Sequence, residues 1–182
     1  MGTQIVPGGR CTQLRIPVVV VLDNLRSAYN VGAFFRTADC AGVERLYLVG
    51  ITSTPPHRGV AKTALGAEES VLWEYCPDPL PLVQRLREAG YQIAVIETSP
   101  KAIDLFDWQP RFPVCLVFGN ELTGVQPALL EFSDVQVRIP MFGIKSSLNV
   151  ATAGAIVIYE LLRRFLELRR SYPQLGAAAR LE

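Results

Sequence analysis

Six short apolar runs rich in Val and Ile recur along the chain, at residues 17–22, 44–49, 71–75, 91–97, 113–118 and 135–139. Most are continuous rather than alternating, which is the pattern of strands covered on both faces. Between several of them the spacing changes to that of helices, at 27–41, at 80–89 ending on Gly90, at 127–131, and from 148 to about 170. Strands alternating with helices predict an α/β fold with a mainly parallel sheet and helices on both faces. Residues 1–171 read as one domain and residues 172–182 as a C-terminal tail.

The last helix carries two apolar stripes. Leu148, Ala151, Ala155, Ile158, Leu162 and Phe165 form one, and Val150, Gly154, Val157 and Leu161 the other. Its first half has no polar side wide enough for solvent. The expectation is that one stripe meets the sheet and the other a second copy of the chain, with Ala and Gly permitting close approach. A central helix covered by its own chain is the alternative. Arg163, Arg164, Arg169 and Arg170 share this helix with Glu160 and Glu167 at ion-pairing spacing, so this charge run reads as a self-paired, solvated face.

Composition narrows the class. At 182 residues, 49% apolar and 19% charged, the chain has the size and apolar content of one globular domain. The longest apolar run, residues 16–22, is too short to span a bilayer, and the first residues lack the apolar core of a signal peptide, so a soluble cytoplasmic protein is expected. The four cysteines are scattered without a CxxC and the only histidine, His57, lies in a Pro-flanked segment, which supports neither a metal site nor a disulfide framework. Cys40 and Cys115 fall in apolar patterns and read as buried thiols, and His57 as a solvated loop residue. A net charge of +1 makes no global case for nucleic acid; such binding would need a local positive patch.

Three stretches carry candidate chemistry. In YNVGAFFRTADCAG, residues 29–42, Val31, Phe34, Ala38 and Ala41 supply a buried face, leaving Asn30, Ala33, Arg36 and Thr37 outside it. Ser27 or Asn30 can cap the first turn, and an Arg36 side chain leaning back over Gly32 and Ala33 would make a phosphate site near that helix end. An Arg36 paired with Asp39 or Asp23 is the competing reading. VFGNELTG, residues 117–124, follows a buried strand; Gly119 and Gly124 let backbone approach a ligand, and Glu121 would project into a cleft, or else sit in a plain Gly-bounded turn. In IPMFGIKSSLNVATAG, residues 139–154, Ser146 or Ser147 can cap the final helix, with Asn149 in its first turn. There is neither a GxGxxG after the first strand nor a Walker A loop.

Taken in order, NLRSAYNVGAFFRTADCAGVERLYLVG, LVFGNELTGV and IPMFGIKSSLNVATAGAIVIYEL closely resemble the three motifs of the TrmH/SpoU branch of the SPOUT RNA methyltransferases. The likeness runs from about residue 18 to 162, and AKTALGAEESVLWEY between the first two motifs resembles the family as well. It implies an S-adenosyl-L-methionine-dependent ribose 2′-O-methyltransferase acting on structured RNA (tRNA or rRNA), a homodimer, with a C-terminal trefoil knot that pattern reasoning alone does not reach. By similarity the cofactor loops are represented by Glu97, Thr98 and Ser99, by Phe118, Gly119, Asn120 and Glu121, by Ile139 and Met141, and by Ser147 and Leu148. The catalytic Arg falls on Arg36, with Asn30, Glu121, Ser147 and Asn149 completing the motif set. After SLNV this chain has Ala151 where many relatives have Ser, and it lacks the extra RNA-binding domain of some members, which leaves target selection to the dimer surface.

Methyl transfer to a ribose requires the 2′-oxygen to lie in line with the methyl carbon and to lose its proton as it attacks. A guanidinium, with a pKa above about 12, accepts a proton poorly. The preferred role for Arg36 is therefore to clamp the adjacent phosphate and orient the 2′-hydroxyl, with base action as the alternative. Two other classes fit the same motifs: a catalytically idle knotted RNA-binding or assembly protein, and a small-molecule transferase on the same fold.

Overall fold

Val19, Val20 and Val21 are consecutive in one strand yet feed two different cores. The computed structural model describes residues 14–171; the expected tail at 172–182 lies outside the described residues. In chain order the elements are β1 (Ile16–Asp23), α1 (Ala28–Ala41), β2 (Val43–Val49), α2 (Arg58–Ala64), α3 (Ala67–Ser70), β3 (Trp73–Cys76), α4 (Pro79–Glu88), β4 (Gln92–Ile96), β5 (Ile103–Asp104), β6 (Val114–Phe118), α5 (Pro127–Phe132), β7 (Val135–Arg138) and α6 (Val150–Ser171). The strands form one seven-stranded sheet in the order β3-β2-β1-β6-β4-β7-β5, and every pairing is parallel.

Alternate residues of the central strands point to opposite sides. Val18, Val20, Leu22, Leu116 and Phe118 pack with α1, α2 and α6, while Val19, Val21, Cys115 and Val117 pack with α4 and α5. Each fully buried side chain of this kind contributes about 1.5–3 kcal/mol, so a strand with apolar residues at every position is stable only between two helical layers. The carboxyl ends of β1, β4, β6 and β7 therefore open on the same edge, where the connecting loops collect.

Several expectations need correction. Helices α2 and α3 and strand β5 had no signature in the hydrophobic pattern. His57 is exposed, as expected, but its Nδ1 accepts from Gly59 N at 3.0 Å and caps α2. Neither Ser146 nor Ser147 caps the last helix; α6 begins at Val150, after Asn149, whose Oδ1 accepts from Ala151 N and Thr152 N at 2.9 and 3.2 Å. Cys115 is fully buried, but Cys40 is exposed, because it falls about 100° from the α1 face made by Phe34, Phe35, Ala38 and Ala41.

The close crossing at Gly154 is made within the chain. A Cβ there would lie 2.2 Å from Cε1 of the buried Phe34 on α1, and Gly154, Val157, Ile158 and Leu161 are all buried. The stripe assigned to a second copy is thus covered by α1, and Phe165 of the other stripe packs its ring 5.5 Å from that of Phe112. Arg163 pairs with Glu160 and Glu167 at the surface, as the spacing predicts, but Arg164 is not on a solvated face: its side chain is 12% exposed, pairs with the equally covered Glu160 and donates to Phe106 O at 2.9 Å. No helix among the described residues is long and apolar enough to cross a membrane.

Candidate active site

At the open edge of the sheet, three segments distant in sequence are joined by side-chain hydrogen bonds. Glu121, in the loop after β6, reaches across to the start of α1. Its Oε2 accepts from Arg26 N at 2.9 Å and its Oε1 from Ser27 N at 3.2 Å. Free amides at a helix start favour a carboxylate in this position. Ser27 itself caps the helix, with Oγ accepting from Asn30 N at 3.3 Å. Asn30 Nδ2 donates to Glu121 Oε1 at 2.9 Å, and Asn149 Nδ2 donates to Asn30 Oδ1 at 3.1 Å. Both ends of the Asn30 amide are therefore committed. Partial burial would raise the Glu121 pKa, but the bonds from Arg26, Asn30 and Ser27 outweigh it and hold the carboxyl below its ordinary value.

The loop that carries Glu121 is closed by its own glycines. Asn120 and Gly124 form an antiparallel bridge. A Cβ on Gly119 would lie 2.4 Å from Gly124 C and Val125 N, and one on Gly124, whose φ is +71°, would lie 2.6 Å from Glu97 Oε2. Both glycines let the loop fold onto itself, and both also face the neighbouring cleft. Glu97 Oε1 accepts from Thr98 N at 2.8 Å and its Oε2 from Val125 N at 3.2 Å, so the end of β4 holds this loop. Behind it Asp23, 1% exposed, accepts from Gln126 Nε2 at 2.9 and 3.1 Å and from Asn24 Nδ2 at 2.8 Å. Burial raises its pKa against the opposing effect of these bonds.

Beside this network lies a cleft of about 250 Å³ at the ends of β4, β6 and β7. Its wall includes Glu97, Thr98, Phe118, Gly119, Asn120, Glu121, Ile139, Met141, Ser147 and Leu148. Of the cofactor positions that the resemblance implies only Ser99 is absent from it; its Oγ is turned to Gln136 Oε1, 2.5 Å away. Ile96, Leu122, Gly124, Arg138, Val150 and Ala153 complete the wall; of these only Gly124 had been marked from the sequence for approach to a ligand.

A model of the SpoU rRNA Methylase family matches residues 17–159. The chain belongs to that family. The tRNA (guanosine(18)-2′-O)-methyltransferase of Aquifex aeolicus is 31% identical over 149 residues, covering 81% of this chain and 69% of that protein. The 23S rRNA (guanosine-2′-O-)-methyltransferase RlmB of Vibrio parahaemolyticus is 33% identical over 155 residues, 85% of this chain and 62% of that one. The AdoMet-bound rRNA methyltransferase from Sinorhizobium meliloti superposes with a TM-score of 0.76 at 29% identity, over 81% of this chain and 56% of that one. Likeness to these SpoU structures implies a knotted C-terminal segment as well.

Within this SpoU site the five motif residues do not stand together equally. Asn30, Glu121 and Asn149 are directly linked, and Ser147 is on the cleft wall. Arg36 is exposed, two turns further along α1, and forms no hydrogen bond or ion pair among the described residues. Neither proposed carboxylate partner is paired with it: Asp39 Oδ1 accepts from Ser70 Oγ at 2.6 Å, and Asp23 is buried under Gln126. Gly32 does not make room for Arg36 either. A Cβ there would meet Thr63 Oγ1 and Val60 O of α2, at 2.1 and 2.3 Å. Helical spacing instead puts Tyr29, Ala33, Arg36 and Cys40 in one outward stripe.

Proposed function

We infer that this chain transfers a methyl group from S-adenosylmethionine to a ribose 2′-hydroxyl in tRNA or rRNA, as a homodimer in the cytoplasm. The observation that carries this reading is the hydrogen-bonded path from Glu121 through Asn30 to Asn149, one residue from each motif, beside a cleft at the strand ends. Bound S-adenosylmethionine supplies an electrophilic methyl carbon on a sulfonium. The cleft suits it chemically: Phe118, Ile139, Met141 and Leu148 offer apolar cover for a purine ring, while Glu97, Thr98, Asn120 and Ser147 offer polar groups for hydroxyls and charged ends. Asn30 and Glu121, locked to each other and to the start of α1, fix the floor on which the ribose rests, so little reorganisation is needed at reaction. Arg36, free of partners in the described chain, meets the phosphate next to the target ribose and orients the 2′-hydroxyl. The transfer would break the methyl carbon–sulfur bond and leave an uncharged thioether, while Arg36 holds the 2′-hydroxyl in line and the hydroxyl proton leaves for that phosphate or for water.

The test is atomic. RNA carrying a single 2′-deoxy nucleotide at the mapped position is expected to bind this protein and accept no methyl group. Methylation of that substrate would place the reaction on a base and overturn the assignment.

The homodimer rests on family likeness and on the outer side of α6, where Tyr159 is 48% exposed on the face turned from α1. Sedimentation of the wild-type chain at micromolar concentration is expected to give a dimer, and Tyr159→Glu a folded monomer. A wild-type monomer that methylates RNA at full rate would rule the dimer out.

A further inference from the structure

Seven ion pairs among the described residues involve Arg45, Arg85, Arg87, Arg138, Arg163 and Arg164, and none involves Arg26, Arg58 or Lys62. Lys62 stands at one exposed aromatic ring, Tyr29, with Arg26 three residues before that ring in sequence and Arg58 at the start of α2, one turn before Lys62. Tyr29, in the first turn of α1, is 52% exposed, whereas Phe34 and Phe35 of the same helix are buried. Lys62 Nζ stands 5.6 Å from the centre of its ring. Thr63 Oγ1 donates to Tyr29 O at 2.8 Å.

The juxtaposition is built in by small residues. A Cβ on Gly59 would come 2.8 Å from Ala28 Cβ, and one on Gly32 would enter Thr63 and Val60. Bare glycines at both contacts let α2 press against α1, which sets Lys62 over Tyr29 and brings the first turn of α2, where Arg58 stands, against the first turn of α1. Arg26 lies three residues before Tyr29, and its backbone N–H is held by Glu121. Arg36 follows Tyr29 on the same outward stripe, about 10 Å further along the helix.

We propose that Tyr29, Lys62 and Arg58 form a docking step for single-stranded RNA flanking the target ribose, with an unstacked base on the Tyr29 ring and its phosphates met by Lys62 and Arg58. The proposal rests on RNA being the substrate. An exposed aromatic face beside unpaired cations is the combination that binds unpaired nucleotides, because every base has a face to stack and every nucleotide a phosphate. A duplex offers the ring no free base, so the flanking nucleotides are unpaired or splayed when bound.

The experiment uses unmodified transcribed tRNA, and rRNA from cells lacking the gene, and measures both equilibrium binding without S-adenosylmethionine and steady-state methylation. Tyr29→Ala is expected to weaken binding and raise KM about tenfold or more, with kcat within a few-fold of wild type and an unchanged melting temperature. Tyr29→Phe keeps the ring and binds like wild type. Lys62→Ala lowers the slope of log K against log salt by about one. Wild-type affinity and KM in both Tyr29→Ala and Lys62→Ala, in a wild-type background that does methylate RNA, overturns the docking step and leaves the reaction standing. A monomeric Tyr29→Ala would overturn it also, by assigning the ring to the dimer contact. Absence of methyl transfer to either RNA by the wild-type protein overturns the proposed function, and the docking step with it.

Discussion

Arg36→Ala is expected to reduce methyl transfer by about 10²–10³-fold or more, the loss seen when one preorganised group serving the transition state is removed, while S-adenosylmethionine binds with unchanged affinity. The expectation follows from where the side chain stands. It is exposed, holds nothing in the described chain and is no part of the cleft wall, so neither the fold nor the cofactor site depends on it. Single-turnover transfer measures the first quantity and calorimetric titration the second. Near-normal turnover would remove Arg36 from the reaction. Arg36→Lys refines the role, since an ammonium keeps the charge but not the planar fork that grips a phosphate through two bonds. Recovery of only a small part of the rate is the outcome that fits a clamp.

The largest structural effect is expected at Gly154. Gly154→Val would drive its side chain into Phe34, whose Cε1 and Cζ already lie 2.2 and 2.5 Å from the position of a Cβ. Phe34 has no room to yield: it is 1% exposed and its ring is 5.1 Å from that of Phe118. Overpacking of this kind costs about 1–3 kcal/mol or more, and in a chain of this size each kcal/mol lowers the melting temperature by about 2–4 °C. Thermal and urea unfolding would register it. A variant that melts with the wild type would mean that α1 and α6 do not cross closely at this point. The readout is stability rather than oligomeric state, because the crossing lies inside one chain.

The same glycine marks the limit of what periodicity conveys. Hydrophobic spacing reported correctly that Gly154, Val157 and Leu161 are buried, but burial does not say against what, and a helix inside the chain serves as well as one from a second copy. The long strands were legible because a parallel sheet between two helical layers leaves an unbroken apolar run, as in residues 16–22. Helices α2 and α3 were not legible: seven and four residues are too few to show a period, and α2 opens after two prolines on a histidine cap. Strand β5 has two residues and no pattern at all. At the site, residue type suggested that Arg36, Glu121 and Asn149 had chemistry to do, and family resemblance put them together. Chain pattern could not have linked Asn30 to Glu121, since the partners become neighbours only through topology. Nor could it show that Gly32 accommodates Thr63 and Val60 of α2 rather than the Arg36 side chain.

The bonds from Asn30 to Glu121 and from Asn149 to Asn30 span 91 and 119 residues of sequence. Contacts of such separation are costly to close early, and they come after the local pairings around β1 and β2. Asn149 stands at the entrance of α6, whose Gly154 also packs on Phe34 of α1, so the last helix supplies both the cover of the first helix and the last of the three linked side chains.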